Sequence, residues 1–280
     1  IPVFSYIPPS AWAWRKGRAK SCAALADEIV AIFPHELPPY EAASANISFV
    51  GNPLIDTVHA EMEAEEARLH FGIADGDVPV LLMPGSRREE IERLLPPMLG
   101  AAEILAARDS TRRFFLPVAG GVDVTQIEKH LAHSSVEVTL THDARYALMG
   151  IARAAIAASG TVVMEAAIMG LPAVVLYRMS ALSYLVGRLL VDVPRFSLPN
   201  ILLGETFETE LLQNAVQPER IAAAMEEIIA DGAPRDYVTE RLARAVAVLG
   251  EPNAARRVAE KILALARTYG RAADENVQCS

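Results

Sequence analysis

The chain has 280 residues, 52% of them hydrophobic and 22% charged, which supplies enough apolar material for a large core and excludes disorder over most of its length. Lysine and arginine number 26 against 35 aspartates and glutamates, a formal net charge of −9 that argues against a nucleic-acid partner. Cys22 and Cys279 are too few for a disulfide framework or a structural zinc site, and no apolar stretch approaches the roughly 18–20 residues that cross a bilayer.

In chain order, Ile1-Pro2-Val3-Phe4-Ser5-Tyr6 already reads as a strand, so the start reads as the interior of a domain and the chain as a fragment. No basic segment followed by an apolar one opens it, and a reducing compartment fits the cysteine usage. Pro9-Ser10-Ala11-Trp12-Ala13-Trp14-Arg15-Lys16-Gly17-Arg18 places both tryptophans beside a basic cluster. That segment reads equally as a face for an anionic amphiphile and as a solvated helix with packed indoles. Strands at 29–33 and 47–50 complete a first block that ends at Gly51-Asn52-Pro53, where proline discourages further pairing.

An acidic helical stretch at 61–69 follows. Strands at 80–83, 114–118, 136–140, 154–158 and 173–177 then alternate with helical segments at 88–107, 125–131, 144–149 and 162–169. This is the α/β pattern, with parallel strands joined by right-handed crossovers. Residues 181–191 are mostly apolar with Arg188 their only charge and read as a core helix or a lipid-touching surface. After Asn200 no strand is expected; 218–230, 237–249 and 254–268 read as amphipathic helices, and 271–280 as a frayed polar tail. The expected divisions are 1–52, 53–250 and 251–280.

Two strand-to-helix joints carry the chemistry. Leu82-Met83-Pro84-Gly85-Ser86-Arg87 runs from an apolar strand through a tight turn into a charged helix start. It reads either as an anion site, with free backbone amides under the Arg87 guanidinium, or as an ordinary turn in which Ser86 caps the helix. At Ala158-Ser159-Gly160-Thr161 small residues again meet a helix start, and Glu165 lies one turn on. A phosphate at that turn with sugar hydroxyls on Glu165 is one reading; a plain cap and a solvated glutamate is the other. Both joints fall on the carboxyl side of strands in one sheet.

Other signals are missing. There is no Gly-x-x-x-x-Gly-Lys-Ser/Thr loop, no Gly-x-Gly-x-x-Gly and no Gly-x-Ser-x-Gly elbow. Asp75-Gly76-Asp77 precedes a strand and reads as a turn, and the histidines lack zinc-ligand spacing, so neither a metal nor a cofactor is expected.

Taken together, Pro9 to Arg15, Phe49-Val50-Gly51-Asn52-Pro53, the Gly85-Ser86-Arg87 and Ser159-Gly160-Thr161 turns with Glu165, Tyr177-Arg178-Met179, and Ser197-Leu198-Pro199-Asn200 resemble the lipid-A-disaccharide synthase family. The resemblance implies a GT-B-type fold: a Rossmann-like parallel-sheet nucleotide-sugar domain plus the remnant of a second Rossmann-like domain. It also implies an inverting hexosyltransferase of lipid A biosynthesis that uses UDP-2,3-diacylglucosamine and 2,3-diacylglucosamine 1-phosphate. Mapped by motif, Gly85, Ser86, Arg87, Ser159, Gly160 and Thr161 would hold the diphosphate and Glu165 the ribose, with Tyr177 and Asn200 near the donor. The general base would lie upstream of Ile1, which would leave this fragment inactive alone. A cytoplasmic protein peripherally bound to the inner membrane is implied, as is a possible homo-oligomer. Two alternatives stay open: a UDP-sugar-binding module without catalysis, and another GT-B enzyme such as a UDP-N-acetylglucosamine epimerase.

Overall fold

The computed structural model describes residues 1–11, 17–180 and 194–278. Trp12, Trp14, Arg15, Lys16 and the apolar stretch 181–191 lie outside the described residues. Two compact units divide the chain: described residues 1–57 and 247–278 form the first, 58–180 and 194–246 the second.

The first unit opens on a three-stranded parallel sheet of β1 (Phe4–Tyr6), β2 (Glu28–Ala31) and β3 (Ile47–Phe49), in that order. α1 (Gly17–Leu25) and α2 (Leu37–Glu41) lie in its crossovers. Tyr40 of α2 is fully buried and donates its hydroxyl to the Pro9 carbonyl at 2.7 Å. Beyond β3 the Gly51-Asn52-Pro53 turn is held firmly. Asn52 is fully buried, its Nδ2 donating to the Ile32 carbonyl at 2.8 Å and its amide to the Leu249 carbonyl at 2.9 Å. α3 (Leu54–Thr57) follows directly.

The second unit begins with α4 (Ala64–His70). That helix starts later than the acidic run suggested because Glu61 works elsewhere: its carboxylate accepts the Ala147 amide at 2.7 Å, capping a distant helix. The sheet is laid down by β4 (Val78–Met83), β5 (Arg112–Pro117), β6 (Val138–Thr141), β7 (Ala154–Ala158) and β8 (Ala173–Tyr177). Between them run α5 (Arg88–Arg108), α6 (Val124–Leu131), α7 (Arg145–Ile151) and α8 (Thr161–Ile168). β7 is buried along its whole length and β4 along nearly all of it, which is why both read as unbroken apolar runs without alternation.

One expectation fails: strands do not stop after Asn200. Past α9 (Leu198–Leu203), β9 (Glu210–Leu212) pairs in parallel with β8, Val175 facing Glu210. Three residues opening on a glutamate are too short to leave a periodic signature. The sheet order is β6-β5-β4-β7-β8-β9, so the chain adds strands outward in one direction from β4 and in the other from β7. Crossovers leave to opposite sides at that point and open a crevice at the carboxyl ends of β4 and β7.

α10 (Pro218–Ile229) packs on α5, and Gly100 sets how closely. A Cβ at Gly100 would fall 2.8 Å from Pro218 Cγ. Alanine normally gains about 1 kcal/mol over glycine inside a helix, whereas overpacking costs about 1–3 kcal/mol. Gly100→Ala is therefore expected to lower stability by up to about 2 kcal/mol in chemical denaturation, and a more stable variant would show that α10 yields at this point.

α11 (Ala233–Ala247) precedes α12 (Ala254–Gln278), which returns to the first unit and continues through most of the tail expected to fray. Asp56 accepts the Ala254 amide at 3.0 Å at the start of α12, and Arg257 Nε donates to the Val50 carbonyl at 2.6 Å. Gly51, at φ 109°, leaves room for that guanidinium: a Cβ there would sit 2.8 Å from Arg257 Nη2. Lys261 Nζ pairs with Glu28 Oε1 at 2.7 Å.

Candidate functional site

At the first joint the backbone leaves β4 through Pro84 and Gly85. Gly85 has φ 106°, a left-handed backbone that favours glycine, and a Cβ on it would displace the Glu90 carboxylate. The amides expected to be free here are occupied. Glu90 Oε2 accepts the Ser86 and Arg87 amides, each at 3.2 Å, and Glu90 Oε1 accepts Arg87 Nη1 at 2.7 Å. Nor does Ser86 cap the helix: Arg87 is the capping residue and the Glu90 carboxylate folds back on it. A carboxylate thus rests where an external anion was expected, and the joint offers a ligand chiefly the Arg87 guanidinium, on a side chain that is 82% exposed.

The second joint is open. β7 is built of small side chains and delivers Ser159, whose amide donates to the Leu176 carbonyl at 2.8 Å and whose Oγ donates to the Phe196 carbonyl at 2.8 Å. Gly160 is the capping residue and has no side chain to meet the first amides of α8. The amides of Thr161 and Val162 carry the positive end of the helix dipole, while the next, Val163, donates to the Gly160 carbonyl at 3.2 Å. Glu165, one turn into α8, is buried, which contradicts the reading of a solvated charge. Burial pushes its carboxyl pKa up, while Arg145 and the Tyr146 hydroxyl pull it back. Arg145 Nη2 lies 3.3 Å from Glu165 Oε2, an ion pair out of hydrogen-bond alignment that leaves this buried oxygen without a hydrogen-bond donor.

Both joints line one cavity of about 410 Å³, within the size range of small-ligand sites. Gly85, Ser86, Arg87, Ser159, Gly160, Thr161 and Glu165 all face it, joined by Pro117 to Ala119 at the end of β5 and by Arg145 and Met149 of α7. The last two carried no signal in sequence, since a short helix says nothing of what packs beside it.

Tyr177 and Asn200 are not among the lining residues. The Tyr177 ring packs at a tilt against Phe196 with centroids 5.7 Å apart. Asn200 is fully buried: its Nδ2 donates to the Glu208 carbonyl at 3.0 Å and to Glu210 Oε1 at 2.8 Å, and its Oδ1 accepts the Phe207 and Glu208 amides, both at 3.0 Å. Its link to the cavity is indirect. Glu210 accepts the Phe196 and Ser197 amides, and the Phe196 carbonyl holds the Ser159 hydroxyl. Among the described residues, no three His, Cys, Asp or Glu side chains gather as a metal centre requires.

Residues 1–263 match the family model for lipid-A-disaccharide synthetase. The lipid-A-disaccharide synthase of Syntrophus aciditrophicus is 42% identical over 266 residues, spanning 95% of this chain and 70% of that protein. The one from Geobacter metallireducens is 40% identical over 263 residues, 94% of this chain and 68% of its own length. Among solved structures, the Neisseria meningitidis UDP-GlcNAc 2-epimerase bound to UDP-GlcNAc superposes with a TM-score of 0.65 at 17% identity, covering 94% of this chain and 70% of that one. The S. aureus MnaA–UDP co-structure gives 0.64 at 14% identity, covering 94% and 68%. At such identities the likeness speaks to fold alone, and the fold is GT-B.

Proposed function

We propose a specific reaction for this chain, which belongs to the lipid-A-disaccharide synthetase family and is thereby a hexosyltransferase of lipid A biosynthesis. The donor is UDP-2,3-diacylglucosamine and the acceptor 2,3-diacylglucosamine 1-phosphate. The acceptor 6-hydroxyl oxygen bonds to the anomeric carbon from the face opposite UDP, the bond to the β-phosphate oxygen breaks, and UDP leaves.

One observation carries this reading: seven candidate residues from two separate joints, the buried Glu165 among them, line a single cavity. The α8 start and Arg87 supply positive potential where charge grows on the departing diphosphate. Glu165 accepts the ribose hydroxyls. Asn200 acts through Glu210 and Phe196 on the Ser159 turn, and Tyr177 braces the same segment through its ring contact with Phe196. Glu90 and Glu165 are engaged with Arg87 and Arg145, so the base that takes the acceptor proton is assigned to neither.

Acylated substrates place the enzyme at the cytoplasmic face of the inner membrane as a peripheral protein. No helix among the described residues is long and apolar enough to cross a membrane. Titration with UDP tests the nucleotide site, and competition between the acylated donor and UDP-N-acetylglucosamine tests the sugar. Tighter binding of the acylated donor is expected. A chain that ignores UDP rejects the reading, and indifference to the acyl chains favours an epimerase-like substrate instead.

A further inference from the structure

The cavity contains a guanidinium that neither joint supplies. Arg145 opens α7 just after Ala144, whose left-handed backbone (φ 46°, ψ 39°) turns the chain into the helix. Three contacts fix its side chain: Nη2 donates to the Tyr146 hydroxyl at 2.5 Å, the guanidinium carbon stands 4.6 Å from the Tyr146 ring centroid, and Nη2 lies 3.3 Å from Glu165 Oε2. The helix start is itself pinned, since Glu61 accepts the Ala147 amide at 2.7 Å. A cation fastened in this way is poorly placed to swing toward a phosphate, and the carboxylate it faces is buried.

Glu165 would turn or take up a proton without that neighbour, because an uncompensated carboxylate in a buried setting is costly. The ion pair meets its charge but leaves Oε2 without an aligned donor. Oε2 is shut off from solvent on the Arg145 side, so the pair orients the carboxylate and leaves its other oxygen to accept hydrogen bonds from a ligand at the cavity that Glu165 lines.

We propose that Arg145 is a positioning residue that holds the Glu165 carboxylate toward the cavity and thereby makes the site selective for a nucleotide with an intact vicinal diol. This inference rests on the assignment of Glu165 to the ribose. A direct grip of Arg145 on the diphosphate is the competing arrangement, and it predicts a different pattern of losses.

The test is calorimetric titration of UDP and 2′,3′-dideoxy-UDP into the wild type, Arg145→Ala, Arg145→Lys, Glu165→Gln and the Arg145→Ala/Glu165→Gln double variant, each first shown to melt cooperatively. The wild type should prefer UDP by tenfold or more. In Arg145→Ala that preference should shrink to within about twofold, through weaker UDP binding, while affinity for the dideoxy analogue stays within about threefold of wild type. Arg145→Lys should recover part of the preference, and the double variant should lose no more than Glu165→Gln alone. Undiminished preference in Arg145→Ala, or an equal loss for both nucleotides, would overturn the inference. A wild type that binds both nucleotides equally would instead overturn the ribose assignment, and the inference with it.

Discussion

Arg87→Ala should weaken UDP binding by about 1.5–3 kcal/mol, roughly 10- to 150-fold, the range for charge-assisted hydrogen bonds to phosphate. The guanidinium is already paired with Glu90, so the relevant quantity is the difference between two partners. An exposed ion pair of this kind is worth about 0–1 kcal/mol, too little to hold the arginine back from a doubly charged diphosphate that can take both arms of its fork. Arg87→Lys should fall between, keeping charge and losing the fork. The loss should diminish in high salt because Arg87 is largely solvent-facing. Equal UDP affinity in wild type and Arg87→Ala would remove the first joint from the donor site.

Glu208→Gln should flatten the decline of stability between pH 5 and pH 8. Glu208 is fully buried, and that burial pushes its carboxyl pKa up to about 8, against the opposing pull of the Ser197 hydroxyl at 2.7 Å. In the unfolded chain it titrates near the ordinary carboxylate value, so between the two values the folded state holds a proton that the unfolded state has released. Stability from this group is complete below the lower value and is lost as pH rises through the upper one. One proton corresponds to about 1.4 kcal/mol per pH unit, so the wild type should lose about 1 kcal/mol per unit more than the glutamine variant across that window. At pH 8 the variant should be the more stable protein. Denaturation midpoints at pH 5, 6, 7 and 8 decide it, and parallel lines for the two proteins would show that Glu208 ionises freely in the fold.

These two residues differ in how much of their role could be read from residue order. Arg87 follows an apolar strand and a Pro-Gly turn, a local arrangement whose geometry propagates to the side chain. β4, β7 and β8 were legible for the same reason: strands buried on both faces become runs of valine, leucine, isoleucine and alanine. Glu208 and Glu210 sit in a polar stretch, and only pairing with β8 and Asn200 gives them their environment. Asn200 shows the reverse case, since its motif was conspicuous while its partners, all within the protein, were invisible. Glu61 and Arg145 each act on an element far off in sequence, and no periodicity encodes that. Glu90 carries no sign in residue order that its carboxylate fills the Gly85-Ser86-Arg87 turn, because that depends on how the side chain folds back.

The pairing of Lys261 with Glu28 joins residues 233 positions apart. During synthesis the second unit can complete itself from a nearly continuous run while residues 1–57, translated before it, wait for a helix translated after it. The early strands must stay unaggregated meanwhile, their closure deferred by the entropy of a long intervening loop. Premature termination within residues 250–278 would therefore harm residues 1–57, made well before the stop, and leave 58–180 and 194–246 intact.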